Sequence, residues 1–148
     1  MTRCVLFLIV GALAFSVIGC GGENLYRTKG RVVKGGTDFI PGDGENLQIG
    51  LMPVMPDGKP PKNYYYADVD QETGTFTAAG PLLKGVPPGQ YVVTVELMKK
   101  KQDQLEGRFD VDHSPFVVEI DEADEEIVVD LDTPSKPVID TTKSNEGD

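Results

Sequence analysis

Gly85-Val86-Pro87-Pro88-Gly89-Gln90-Tyr91-Val92-Val93-Thr94-Val95-Glu96-Leu97-Met98 is the stretch whose reading decides the fold. Its second part alternates, so that Tyr91, Val93, Val95 and Leu97 share one face of an extended chain, which marks a half-buried β-strand. Ahead of it, Pro87-Pro88-Gly89 fixes an extended approach and then permits a sharp turn. That geometry aims Tyr91 inward at the start of a core strand.

The same signal recurs on both sides. Residues 26–33 place Arg27, Lys29 and Arg31 on one face and Tyr26, Thr28, Gly30 and Val32 on the other. The basic stripe has two readings: contact with anionic head groups, or the charged outer face of an edge strand that resists edge-to-edge pairing. Leu47, Ile49 and Leu51 alternate up to Pro53, residues 64–69 are aromatic and extended, and 74–79 is a short strand after a tight turn. Phe116, Val118 and Ile120 alternate, as do Ile127, Val129 and Leu131, and the acidic turn 121–126 between them predicts a hairpin. Residues 35–46, 54–63 and 99–114 read as loops. About seven short strands separated by turn signals, with no convincing amphipathic helix, predict an all-β antiparallel sandwich.

The chain has 148 residues, enough for one domain, and 24 acidic against 14 basic side chains give a formal charge of −10. That balance argues against a nucleic-acid partner, which needs a clustered positive surface. One His and two Cys leave little room for metal clusters or thiol chemistry.

The N-terminus speaks to compartment. Met1-Thr2-Arg3 is a short positive head before the uncharged stretch 5–19, the pattern of an export signal. At about 15 residues the apolar run is shorter than the roughly 20 a membrane-spanning helix needs. Val17-Ile18-Gly19-Cys20 resembles the bacterial lipobox, which implies cleavage before Cys20 and its lipidation. The expected organisation is a lipoprotein signal peptide over 1–19, a lipid-anchored tether over 20–25, a sandwich over 26–132 and a disordered tail over 133–148. Cleavage removes Arg3 and Cys4, leaving 129 residues with 24 acidic and 13 basic groups, a charge of −11. No free thiol then remains, and stability rests on an ordinary core.

Gly30-Arg31-Val32-Val33-Lys34-Gly35-Gly36, then Glu72-Thr73-Gly74-Thr75-Phe76, then the Gly85–Val95 stretch resemble, in order, the opening strand, the Gly-x-Phe strand and the Gly-x-Pro-x-Gly-x-Tyr strand of the carboxypeptidase regulatory-like, or transthyretin-like, β-sandwich. Residues 109–131 also look like the end of small bacterial lipoproteins that carry this domain alone. The resemblance covers about residues 26–132. It implies a transthyretin-like fold of the cell envelope and a binding or scaffolding role rather than catalysis.

The residues themselves offer four places for chemistry. A transthyretin-related hydroxyisourate hydrolase would need several His residues, and His113 is the only one. It lies between Asp112 and Ser114, but adjacent residues of an extended chain point to opposite sides and do not form a triad. Half of the 24 acidic residues fall between Asp103 and Asp132, in polar turns or on outward positions, which reads as a solvated acidic face rather than a glycosidase pair. Asp68, Asp70 and Glu72 precede Gly74 at alternate positions, echoing the start of a calcium loop, although the pattern stops there. A calcium site here would gain from the 121–126 cluster at the same end of the sandwich. Tyr64, Tyr65 and Tyr66 are candidates for stacking on carbohydrate, with Tyr64 and Tyr66 on one face and Tyr65 on the other.

The expectation is therefore a non-enzymatic, exported module, held at the periplasmic or outer side of a membrane through lipidated Cys20. Its role would be structural or adhesive, with an envelope protein or polysaccharide as partner. Carbohydrate or calcium binding is the alternative, and a hydrolase stands further behind. No cofactor is expected beyond calcium as a candidate.

Overall fold

A computed structural model describes residues 24–56, 61–122 and 125–136. The expected signal peptide, Cys20 and the part of the expected tail beyond Lys136 lie outside these residues. Ten strands form two layers: β1 (Thr28–Lys34), β2 (Thr37–Asp38), β3 (Glu45–Pro53), β4 (Tyr65–Tyr66), β5 (Asp68–Val69), β6 (Thr75–Ala78), β7 (Gly89–Lys99), β8 (Gln102–Asp103), β9 (Val117–Ile120) and β10 (Ile127–Asp130). The first sheet runs β10-β1-β6-β5 with β2 against β1, and the second runs β4-β3-β7-β8 with β9 also against β7. The all-β sandwich read from the sequence is the fold.

Alternation places the core where the sequence put it. Val32 and Phe76 from the first sheet meet Leu47, Ile49, Leu51, Tyr91, Val93, Val95 and Leu97 from the second, all buried. The longest ladder, β3 against β7, pairs Leu51 with Val93 and Ile49 with Val95. The Pro87-Pro88-Gly89 turn works as anticipated: Tyr91 is buried, and its hydroxyl donates to the Pro87 carbonyl at 2.7 Å, giving the phenol a partner inside the core. Gly30 faces the core opposite Phe76, and the ring occupies the space a side chain at 30 would need.

Several pairings differ from the sequence reading. β1 is not an edge strand but sits between β10 and β6, so its charged face is a solvent face of a central strand. Residues 116–131 are not a hairpin: β9 pairs with β7 in one sheet and β10 with β1 in the other, so the two strands lie in different layers. Because β10 enters from the facing sheet, it runs parallel to β1, whereas every other ladder is antiparallel. The aromatic run 64–69 also changes layer, with β4 on β3, β5 on β6, and the switch at Ala67, whose N–H still donates to the Ile49 carbonyl. The loops at 35–46 and 99–114 carry the short strands β2 and β8.

Residues 104–116 do more than connect. The N–H groups of Leu97, Val95 and Val93 are all taken up along the edge of β7: Val95 donates to the Phe109 carbonyl and Val93 to that of Phe116, while Leu97 donates to the Asp103 carboxylate. The segment thus covers the part of the β7 edge that β8 and β9 leave open. Phe109 plugs the core beneath it, fully buried, with Phe116 at 5.5 Å and the Arg108 guanidinium over its ring.

The strand directions define two ends. The N-terminal segment 24–27, residues 54–56 and 61–64, the 79–88 loop and residues 121–122 and 125–126 gather at one end, since Thr28 pairs with Ala78, Pro53 with Tyr91 and Gly89 with Ile120. The 35–44, 70–74 and 99–116 loops and the chain after Leu131 gather at the other.

Candidate functional site

The tyrosine run resolves into two roles. Tyr65 turns inward, where it is buried with its ring edge-on to Tyr91 at 6.0 Å, so it packs with the core rather than standing on an exposed stacking face. Tyr64 and Tyr66 stand on the outer face of the second sheet, 37% and 64% exposed, with ring centroids 4.9 Å apart at 63°. This is the split that a period of two demands.

Gly50 is what lets Tyr64 lie down. A Cβ built on Gly50 would run into the Tyr64 hydroxyl and the hydroxyl of Thr94, which is cross-strand to Gly50. Without it, the Tyr64 ring settles on the backbone of β3 and its hydroxyl shares a short hydrogen bond with that of Thr94. Thr94 is thereby buried although it points away from the core. Burial pushes the Tyr64 phenol above its ordinary pKa, the Thr94 hydroxyl opposing, so it stays a neutral hydrogen-bonding group. Around the pair, Met52, Val92 and the half-exposed Val117 extend the face across β3, β7 and β9. Flat aromatic faces bordered by hydroxyls can stack on the C–H side of a sugar ring.

Asp68, Asp70 and Glu72 are placed differently from a calcium loop. Asp68 is in β5, while Asp70 and Glu72 belong to the β5–β6 turn. The Asp70 carboxylate accepts from the Glu72 N–H at 2.9 Å, and that bond, with the Thr73 hydroxyl, holds it below the usual carboxylate range. It serves its own turn. Asp121, Glu122, Glu125 and Glu126 lie at the opposite end of the sandwich, away from Asp70 and Glu72. Among the described residues no group of three or more His, Cys, Asp or Glu converges on a metal-sized space.

The Asp-His-Ser letters are also taken apart. His113 pairs through Nδ1 with Asp110 at 2.6 Å, not with Asp112. The Asp110 carboxylate, raised by burial but lowered more by hydrogen bonds from the His113 ring and from the His113 and Asp112 N–H groups, ends below its ordinary pKa. Ser114 is buried, and its hydroxyl donates to the Val93 carbonyl. Ser114 thus fastens the 104–116 segment to β7, while the His113–Asp110 pair ties that segment to itself. Asp103 does both, its carboxylate accepting from the N–H groups of Leu97, Leu105 and Gly107 at 2.9, 3.0 and 2.9 Å. These acids are internal struts, where the sequence suggested only a solvated face.

On β1, Arg31 is held by Asp38 at 3.0 Å and Glu126 at 3.3 Å, which offsets the charge at the C-terminal end of the basic stripe. Cys20, the expected lipidation site, lies outside the described residues. No family model, curated protein or solved structure matches this chain.

Proposed function

We propose that this chain is a lipid-anchored, exported β-sandwich of the carboxypeptidase regulatory-like type, with a non-catalytic, adhesive role at the cell envelope. The lipobox-like Val17-Ile18-Gly19-Cys20 supports the anchor. The observation that carries the adhesive reading is the outer face of the second sheet. There the exposed Tyr64–Tyr66 pair is seated over Gly50, while Asp70, Asp103, Asp110 and Ser114 serve loops and turns. A rigid sheet face that presents two phenols and adjoining apolar side chains fits a polysaccharide laid along it.

The test is co-sedimentation of the chain with insoluble envelope and extracellular glycans, comparing wild type with Tyr66→Ala. Tyr66 is largely exposed, so its truncation leaves the core intact. Retention on a glycan that Tyr66→Ala reduces by about ten-fold is expected, in line with a stacking contact of about 1–1.5 kcal/mol. Equal retention of both proteins, or none on any glycan, would move the role to a protein partner.

A further inference from the structure

The end of the sandwich that carries the tether is unusually apolar. Five of the large hydrophobic side chains exposed among the described residues, Leu25, Val54, Met55, Leu82 and Leu83, lie there. Leu82 and Leu83 are 84% and 54% exposed, and both have positive φ, 57° and 56°. That is a conformation side chains with a Cβ rarely adopt, and here two leucines in succession adopt it. The turn is held by Gly85 N–H donating to the Ala79 carbonyl at 2.6 Å and by the mutual hydrogen bonds of Tyr26 and Val86. Backbone strain therefore displays two leucines to the outside, directly beside the N-terminal segment. Between them and that segment lies an open cleft of about 510 Å³, whose lining includes Leu25, Lys62, Leu82 and Lys84.

We infer that this tip, Leu82 and Leu83 with Leu25 and the flanking Lys62 and Lys84, rests in the head-group region of the bilayer that anchors the chain. The inference rests on lipidation of Cys20. Leu25 is the fifth residue after Cys20, and an extended chain covers at most about 3.4 Å per residue, so Leu25 lies within about 17 Å of the anchored residue. A tether that short holds this end of the sandwich close to the surface. Apolar side chains with lysines beside them suit the interface, where the leucines enter the acyl boundary and the ammonium groups stay with lipid phosphates. The acidic residues Asp121, Glu122, Glu125 and Glu126 are at the same end but on the far lateral edge, beside β9 and β10, whereas the cleft adjoins β4. The domain accordingly leans toward its β4 side, which keeps these acidic residues off an anionic surface and leaves the outer face of the second sheet directed sideways.

The chain contains no Trp, so single-Trp variants give a clean readout. The full chain is expressed with its signal and extracted from membranes, and Cys20 acylation is verified by mass. It is then reconstituted in phosphatidylcholine–phosphatidylglycerol vesicles whose acyl chains carry bromine. Leu82→Trp and Leu83→Trp probe the tip, and Ile40→Trp, at the opposite end, is the reference. A blue-shifted emission that the bromines quench in the tip variants, against unshifted and unquenched emission from Ile40→Trp, is expected. Acylated protein whose tip variants are quenched no more than Ile40→Trp would overturn the inference and leave the anchor standing. Absence of acylation would overturn the anchor and the inference together. Unchanged thermal melts establish that each variant is folded.

Discussion

Replacing Gly50 by Ala is a sharp way to test how the aromatic face is built. The new methyl would occupy the place of the Tyr64 hydroxyl and crowd Thr94 Oγ1, both side-chain atoms, so Tyr64 swings out and the β3 backbone stays where it is. The Tyr64–Thr94 hydrogen bond goes, a loss of about 1 kcal/mol, and the partly buried ring loses about 1 kcal/mol more of apolar contact. Alanine returns about 0.5 kcal/mol through lower backbone entropy in the unfolded chain. The net loss is about 1.5 kcal/mol, which at this size lowers the melting temperature by about 6–10 °C. Thermal and urea unfolding measure this, and near-ultraviolet circular dichroism, which reports tyrosine packing in a chain without Trp, should weaken as the Tyr64–Tyr66 contact is lost. Gly30→Ala is the contrast. There the methyl would meet the Phe76 ring and, at 2.7 Å, the Ile127 carbonyl inside the core, where nothing can swing clear, and a loss of about 3 kcal/mol or more is expected. Gly50→Ala as stable as wild type, with its tyrosine signal intact, would refute the seating of Tyr64 on Gly50.

Asp103→Ala removes the acceptor for three backbone N–H groups and should destabilise by about 3 kcal/mol in urea unfolding, with Asp103→Asn intermediate because its amide oxygen still accepts. Glu45, Asp70 and Asp110 are all held below their ordinary pKa values: Glu45 by the Gly42 N–H and then Lys99, Asp70 and Asp110 by the hydrogen bonds described above. The folded state therefore binds fewer protons than the unfolded one, so this stabilisation is complete above the ordinary carboxylate range near about pH 4 and is lost as the pH falls through and below it. A urea midpoint that drops between pH 6 and pH 3, with a smaller drop in Asp110→Asn, is the expected outcome; a flat profile would contradict it.

Alternation was enough to place Tyr91, Val93, Val95 and Leu97 in the core and to set Tyr65 apart from Tyr64 and Tyr66, because side-chain direction in a strand is a local property. Strand partners are not local. The turn at 121–126 has the same polar composition whether the chain doubles back in one sheet or crosses to the other, so β9 and β10 read as a hairpin. For the same reason the charged face of β1 revealed a solvent side but not that β10 flanks it. Phe109 was hard to place because residues 104–116 have no period; the legible signal was an aromatic set among Gly and Asp residues, the carboxylates of the latter suiting backbone N–H groups. The Leu82-Leu83 tip had a signal as well: two leucines between Gly80 and Gly85, outside any periodic pattern, are apolar residues with no strand to bury them.

The anchor is the premise on which an envelope role depends, and the mass of Cys20 tests it most directly. Wild type and Cys20→Ser, each expressed with its own signal, are compared by mass spectrometry of the membrane fraction. The account predicts cleavage before Cys20 and a diacylglyceryl-sized increase in wild type, absent from Cys20→Ser, which is released from the membrane. An unmodified Cys20, or cleavage at another position, would contradict it.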